Sequence, residues 1–276
     1  MEKSSFIHNL SKGIKKKLQS ISESPYKRLN LNWFRLKYYK HLPAKQIRTH
    51  SLFGKSLYFI SPTELLHGFY EIFIEEIYKQ QFASKSFVID CGANIGLSVI
   101  YIKQLCPDAQ IIAFEPDEKN FELLSKNMHS FGYTDVTLKK EAIWIADTTL
   151  QFSNEGSMSS KIELGENRNV INVKATRLYN ILDKKIDFLK IDIEGAEYAV
   201  LNDIADRLNV VDNMFIEYHG NFNQNIELSK MINIITSAGF HFYIKEATSI
   251  YKTPFYRIKN PAIPYDVQLN IFCFKN

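Results

Sequence analysis

The chain is poor in cysteine, has no long apolar run, no Gly/Ser-rich linker and no internal repeat, and its first sixty residues hold almost no acid. Its three cysteines, Cys91, Cys106 and Cys273, have neither CxxC nor metal-ligand spacing, so neither a disulfide framework nor a zinc centre is expected, and the sparse, odd count fits a reducing compartment. No apolar run approaches the ~18 residues of a membrane-spanning helix; the best, from Ile95 to Ile102, is stopped by Lys103. The start of the chain lacks an uninterrupted apolar core and a small-residue cleavage site, so no secretory leader is read there and the cytoplasm is the expected compartment. With 45% apolar and 23% charged residues, collagen-like, low-complexity and coiled-coil chains are excluded. What remains, at 276 residues, is a folded protein with a substantial core.

The shortage of acid is local. Up to Ile60 there are thirteen Lys and Arg against Glu2 and Glu23, a charge of +11; the rest carries 21 basic against 28 acidic residues, −7. Two regions with different partners are implied: a basic, aromatic extension over residues 1–60 and a main domain over 61–276. The extension holds Lys15, Lys16 and Lys17, then Trp33, Phe34, Arg35, Lys37, Tyr38, Tyr39 and Lys40. Such a mixture suits anionic lipid, a phosphate-bearing substrate or nucleic acid. No nucleic-acid-binding motif accompanies it, which disfavours nucleic acid, and a solvated arm packing its aromatics on the main domain is the plain alternative.

From Ser61 onward strand and helix patterns alternate. Ser61-Pro62-Thr63-Glu64 opens a helix with apolar residues at helical spacing from Leu65 to Ile77. Strands are read at 87–90, 111–114, 136–138, 188–193, 213–217, 241–244 and 267–274, with helices at 97–105, 118–128, 196–208 and around Leu228 to Ile235. Repeated βα units predict a mostly parallel sheet with helices on both faces. The polar segment from Ser153 to Asn169 reads as a mobile loop.

In such a sheet ligands sit at the carboxyl ends of the strands. The first strand ends in Asp90-x-Gly92-x-Asn94-x-Gly96. A pyrophosphate fingerprint anchored at Gly92 needs glycine at 94 and 97, which hold Asn94 and Leu97, so a dinucleotide is disfavoured. A strand-end carboxylate suits a ligand carrying an ammonium group, and S-adenosylmethionine carries one. Glu115 lies 19 residues after Gly96 at the end of the next strand, the position from which an acid accepts ribose hydroxyls. Acid, glycine turn and second acid together outline an adenosyl ligand.

The motifs FVIDCGANIG, IIAFEPDEKNFELLSKN, DFLKIDIEGAEYAVL and MFIEYHG, in that order from about Phe87 to Gly220, resemble the FkbM-type S-adenosylmethionine-dependent methyltransferases. The resemblance implies a Rossmann-like methyltransferase fold, a seven-stranded, mostly parallel sheet with an antiparallel last strand, and methyl transfer to a hydroxyl of a sugar or natural product. It places Asp90, Gly92, Asn94 and Gly96 in the glycine turn and Glu115 at the ribose. It also sets Ala142, in Glu141-Ala142-Ile143-Trp144, beside the adenine. Lys190 to Gly195 is its most distinctive stretch.

An alcohol acceptor needs a base or a metal-bound alkoxide, because it is a poor nucleophile while it holds its proton. Asp192, Glu194, Glu217 and His219, at the ends of strands four and five, supply base candidates. An imidazole titrates near pH ~6.5 without tuning, so His219 is read as the base and Asp192 as the group that orients the acceptor. Lys190 is read as a buried partner of one of these acids, and no metal site is expected, since no Asp/Asn group has a recognised metal spacing. Amino-group methylation is disfavoured because Asp192-Ile193-Glu194-Gly195 lacks the Pro-Pro-aromatic pattern that holds a planar amine. Three functional readings follow. The first is an O-methyltransferase acting on a saccharide or related polyhydroxy metabolite, including one carried on a lipid, with the basic arm at an anionic membrane surface. The second is an RNA methyltransferase using the arm as a clamp, and the third a non-catalytic cofactor-binding scaffold.

Overall fold

The structure is a computed structural model that describes residues 25–44, 46–153, 170–258 and 263–275. The loop expected from Ser153 to Asn169 therefore lies, from residue 154 on, outside the described residues. The chain forms two compact units, one of the described residues up to Lys79 with His129–Gly132, the other of the remainder.

The first unit contains helices α1 (Pro25–Arg28), α2 (Trp33–Lys40) and α3 (Pro62–Gly68) and the antiparallel hairpin β1 (Arg48–Leu52) and β2 (Lys55–Phe59). Each has a local cause. The Asn32 side chain accepts the Arg35 N–H at 2.8 Å and starts α2. Ser61 does the same for α3 through the Glu64 N–H at 3.3 Å, with Pro62 in the first turn. Phe53 and Gly54, with φ of 50° and 76°, make the two-residue hairpin turn whose twist matches the strands. The helix read through Ile77 instead passes into a wider π turn over Phe69–Ile74. Buried Tyr39, Leu57, Phe59, Phe69 and Phe73 form the unit's core, where the Tyr39 hydroxyl meets His50 Nδ1 at 2.9 Å and His50 Nε2 meets the Leu29 carbonyl at 2.7 Å. Residues 48–59, read as part of an extension, are thus an ordered hairpin.

The second unit is built on a seven-stranded sheet in the order β11-β12-β10-β9-β3-β4-β5: His241–Glu246, Val267–Phe274, Val211–Gly220, Ile186–Ile191, Phe87–Cys91, Gln110–Phe114 and Thr137–Lys139. The five strands from β10 to β5 run parallel, and β12 is antiparallel to both neighbours. Helix α4 (Leu97–Leu105) links β3 to β4, α5 (Glu118–Phe131) links β4 to β5, α6 (Glu197–Asp203) follows β9 and α7 (Asn225–Ser237) follows β10. This is the expected Rossmann-like sheet with its reversed last strand. Its parallel strands are near-continuous apolar runs, as burial on two faces requires.

Three readings shift. Strand β9 ends at Ile191 rather than Ile193, so Asp192 begins the turn. Strand β10 continues to Gly220, because β12 pairs with it as far as Gly220 opposite Val267, and His219 therefore lies in a strand. The helix read to Leu208 ends at Asp203 and tightens to a 3₁₀ turn over Ala205–Val210. A second, three-stranded sheet of β6 (Ala142–Trp144), β8 (Val170–Arg177) and β7 (Thr148–Ser153) was not anticipated.

Candidate functional site

Strands β3 and β9 are neighbours in the middle of the sheet, yet the chain leaves β3 toward β4 and leaves β9 toward β10 on the opposite flank. Where outgoing loops diverge they cannot cover the strand ends, and a crevice opens. The turns after β3 and β9 line this one. Gly92 has φ of 91°, and a Cβ built there would sit 1.9 Å from the Asp192 carbonyl oxygen, so no side chain fits between the two turns. The Asp192 N–H donates to the Cys91 carbonyl at 3.0 Å and ties them together. Gly96, also at φ of 91°, faces Leu124 and Met128 of α5 and begins α4.

The sequence-derived site residues divide into two groups. Glu115 lines the cavity: its carboxylate accepts the Asn94 N–H at 2.8 Å and the Asp117 N–H at 2.9 Å, which fixes its direction. Burial pushes its pKa up to about 7 against those donors. Gly92, Ala142 and Asp192 line the same cavity, together with Phe114, Ile143, Trp144 and Glu194. Its volume is about 120 Å³. Asp90, Asn94 and Gly96 do not line it. The Asp90 carboxylate, fully buried, accepts the Ser98 hydroxyl and pairs with Lys190 at 3.2 Å, so the ammonium-facing role read for it is not where its oxygens point.

Lys190 is the hub beneath the turns. Its ammonium reaches Asp192 at 3.1 Å, the partner expected among the acids at the ends of strands four and five, and also Asp90 and the Gly92 carbonyl at 2.6 Å. Burial raises Asp192 to about 8, opposed by Lys190 and reinforced by Glu217. Beyond it, Glu194 (φ 57°) and Gly195 (φ 100°) form a left-handed pair. Such backbone is held only when its surroundings over-determine it. Here the Tyr265 hydroxyl donates to the Glu194 carbonyl at 2.9 Å, and the Gly195 N–H donates to the Glu197 carboxylate at 2.9 Å.

His219, buried in β10, faces this turn. Its Nδ1 lies 3.1 Å from Glu197 Oε1, and its Nε2 lies 3.7 Å from Glu194 and 3.6 Å from Glu217. The Gln268 amide donates to Glu217 at 2.6 Å and stands 3.1 Å from Nε2, so in the deprotonated ring the lone pair falls on Nε2 and the remaining proton on Nδ1, toward Glu197. Burial lowers the proton affinity of the imidazole, but Glu197, Glu217 and Glu194 outweigh it and raise it well above the ordinary value. The result is a ring whose imidazolium form is favoured, and which becomes a proton acceptor only as pH rises through its raised titration. Glu217, also buried, is kept below the ordinary carboxylate range by His219 and Gln268. Donor atoms of Asp192, Glu194 and His219 lie within 4.8 Å of one another, a donor set that a divalent cation accepts.

Sequence reasoning missed Glu197, Gln268 and Tyr265. Glu197 reads as an ordinary acid in a first helical turn, stabilised by the dipole. Gln268 and Tyr265 come from the end of the chain and carry no local signal. Trp144 lines the cavity, while Tyr218 is a buried core residue and Tyr198 packs against the core.

Fold and site together define a Rossmann-like α/β protein with a cleft at the carboxyl ends of its parallel strands. Residues 90–242, more than half the chain, match the methyltransferase FkbM domain model, and the chain belongs to that family. It is similar to methyltransferase 1 of Beauveria bassiana, at 28% identity over 182 residues (56% of this chain, 72% of the relative), and to methyltransferase sdnD of Sordaria araneosa, at 27% over 201 residues (59% and 78%). The solved structure of an FkbM methyltransferase from Methylobacillus flagellatus KT aligns with 17% identity and a TM-score of 0.47 over 70% of this chain, which spans 44% of that structure's length. The chain is an S-adenosylmethionine-dependent methyltransferase.

The cavity fits that cofactor by its chemistry. Phe114, Ala142 and Ile143 offer an apolar wall for a purine, and Glu115 offers carboxylate oxygens that retain lone pairs for a ribose.

Proposed function

We propose that this methyltransferase acts on a hydroxyl of a saccharide or related polyhydroxy metabolite, with His219 as the proton acceptor and Asp192 orienting the acceptor. Gly92, Asn94, Gly96, Glu115 and Ala142 would hold S-adenosylmethionine, with Gly96 and Asn94 acting through the backbone of the turn and Asp90 bracing it through Lys190. When bound, that cofactor supplies an electrophilic methyl carbon on a sulfonium. The chain's own work is then alignment and proton removal. The observation that carries the reading is the His219–Glu197 pair. Its Nδ1–H is held by a buried carboxylate, its Nε2 lone pair faces the Asp192–Glu194 turn, and the proton it gains is stabilised by three acids. That is the arrangement of a base oriented by a third group, and general-base catalysis of this kind contributes roughly 10²–10⁴-fold.

The test is methyl transfer from labelled S-adenosylmethionine to a panel of mono- and oligosaccharides, with His219→Asn alongside the parent. The variant should keep cofactor affinity and lose turnover by about 10²-fold or more. Undiminished turnover in His219→Asn removes the base assignment, and transfer to amines but not alcohols removes the acceptor class. The Asp192, Glu194 and His219 donor set favours a second reading, in which a divalent cation holds the acceptor as an alkoxide. Loss of activity on chelation, restored by Mg²⁺ or Mn²⁺, selects it over the first.

A further inference from the structure

We infer that the outward face of α2 is a docking surface for an anionic lipid bilayer. Within this helix only Tyr39 is buried, against His50 and Phe59. The other side presents Trp33, Phe34 and Tyr38 at 64%, 74% and 59% exposure, interleaved with exposed Arg35, Lys37 and Lys40. At 100° per residue, Lys40, Trp33, Lys37, Phe34 and Tyr38 follow one another within about 160°, so the three rings and two cations share one face, while Arg35 lies at its edge and donates to the Asn30 carbonyl at 2.7 Å. Three large aromatics left in water are not explained by core packing, and a run of them exceeds the scatter of single exposed apolar residues that any surface carries.

Two observations choose the occupant. Aromatic rings beside long basic side chains match the headgroup boundary, where the apolar body enters the acyl edge and the cation stays with phosphate. The Lys37 ammonium already lies 5.1 Å from the centre of the Trp33 ring, the pairing that such a boundary uses. The surrounding charge is complementary to an anionic leaflet: the first sixty residues carry +11 in a chain whose remainder carries −7. RNA matches the cations equally well but does not need three rings on the face of a regular helix without a recognised binding motif. A chain held there meets acceptors that carry a lipid tail at the surface where they reside.

The experiment is co-sedimentation of the full chain with sucrose-loaded vesicles of phosphatidylcholine alone or of phosphatidylcholine mixed with phosphatidylglycerol. Binding to the mixed vesicles only, weakened by salt, is expected. Trp33→Ala/Phe34→Ala/Tyr38→Ala should lower the partition coefficient by about tenfold or more, and Lys37→Glu/Lys40→Glu by a similar factor. Unchanged circular dichroism and melting in both variants separate loss of docking from loss of fold. Equal binding by the aromatic variant and the parent overturns the assignment of this face. Failure of the parent to bind mixed vesicles while retaining RNA at moderate salt overturns it in favour of nucleic acid. Because methyl transfer to free sugars is measured without vesicles, the docking surface and the catalytic reading stand or fall separately.

Discussion

At the scale of single residues, the acid–base character of the site is set by crowding. Five carboxylates, those of Asp90, Asp192, Glu194, Glu197 and Glu217, gather around Lys190 and His219. A base that must be deprotonated gives activity that rises with pH through its own titration. For His219 that limb is expected above the ordinary imidazole value, since its neighbours raise it. Glu197→Gln keeps an acceptor for Nδ1–H and for the Gly195 N–H but removes the charge that favours imidazolium. It should move the rising limb of kcat/KM to lower pH and lower the limiting rate about tenfold. A merely structural Glu197 would change the rate and leave the limb in place. At the other end of the cavity, Glu115 titrates near 7, and its ionised form is the better acceptor for ribose hydroxyls. Cofactor affinity measured by calorimetry should strengthen as pH rises through that value, and Glu115→Ala should lose it by at least tenfold.

At the scale of elements, the site is held by the junction of β3 and β9. Asp90 and Lys190 are register partners in this pair, so their ion pair is a property of the ladder as well as of the side chains. Lys190→Met leaves the fully buried Asp90 without its cation and should cost about 3–5 kcal/mol in urea unfolding, with partial recovery at acid pH where the carboxylate is neutral. Gly92→Ala meets both a left-handed backbone and the Asp192 carbonyl, and should cost about 3 kcal/mol or more by the same measurement. The strands and helices that carry these positions were legible because parallel strands are apolar runs closed by Gly, Asp or Pro. The small sheet of β6, β7 and β8 was not. Strand β6 is only three residues long, β7 and β8 mix polar and apolar residues, and these two pair across a segment of chain that has no periodicity of its own.

At the scale of the whole molecule, the balance of titrations fixes how stability follows pH. Glu115, Asp192 and Glu194 have their pKa values raised by folding, so the native state holds protons the unfolded chain has released. Stability is therefore expected to fall as pH rises from the ordinary carboxylate range of about 4 through 7 and 8. His219, raised in the same sense, adds a contribution that is present below its unfolded value and lost as pH rises through its folded one. A cationic ligand in the cleft stabilises the ionised carboxylates that burial disfavours, so the melting-temperature increase caused by S-adenosylmethionine, followed by scanning fluorimetry, should be larger at pH 8 than at pH 6. The sequence by itself determined the sheet class, the glycine turn, the cavity acid Glu115 and the acidic ends of strands four and five, because each is written in contiguous residues whose backbone preferences and apolar periodicity act locally. Only the tertiary structure decided that Asp90 braces rather than faces the cavity, that Lys190 joins two acids, and that Glu197 and Gln268 fix the proton on His219. Those facts depend on which side chains four separate strands and a helix bring within hydrogen-bond distance, and no stretch of the chain encodes that distance alone.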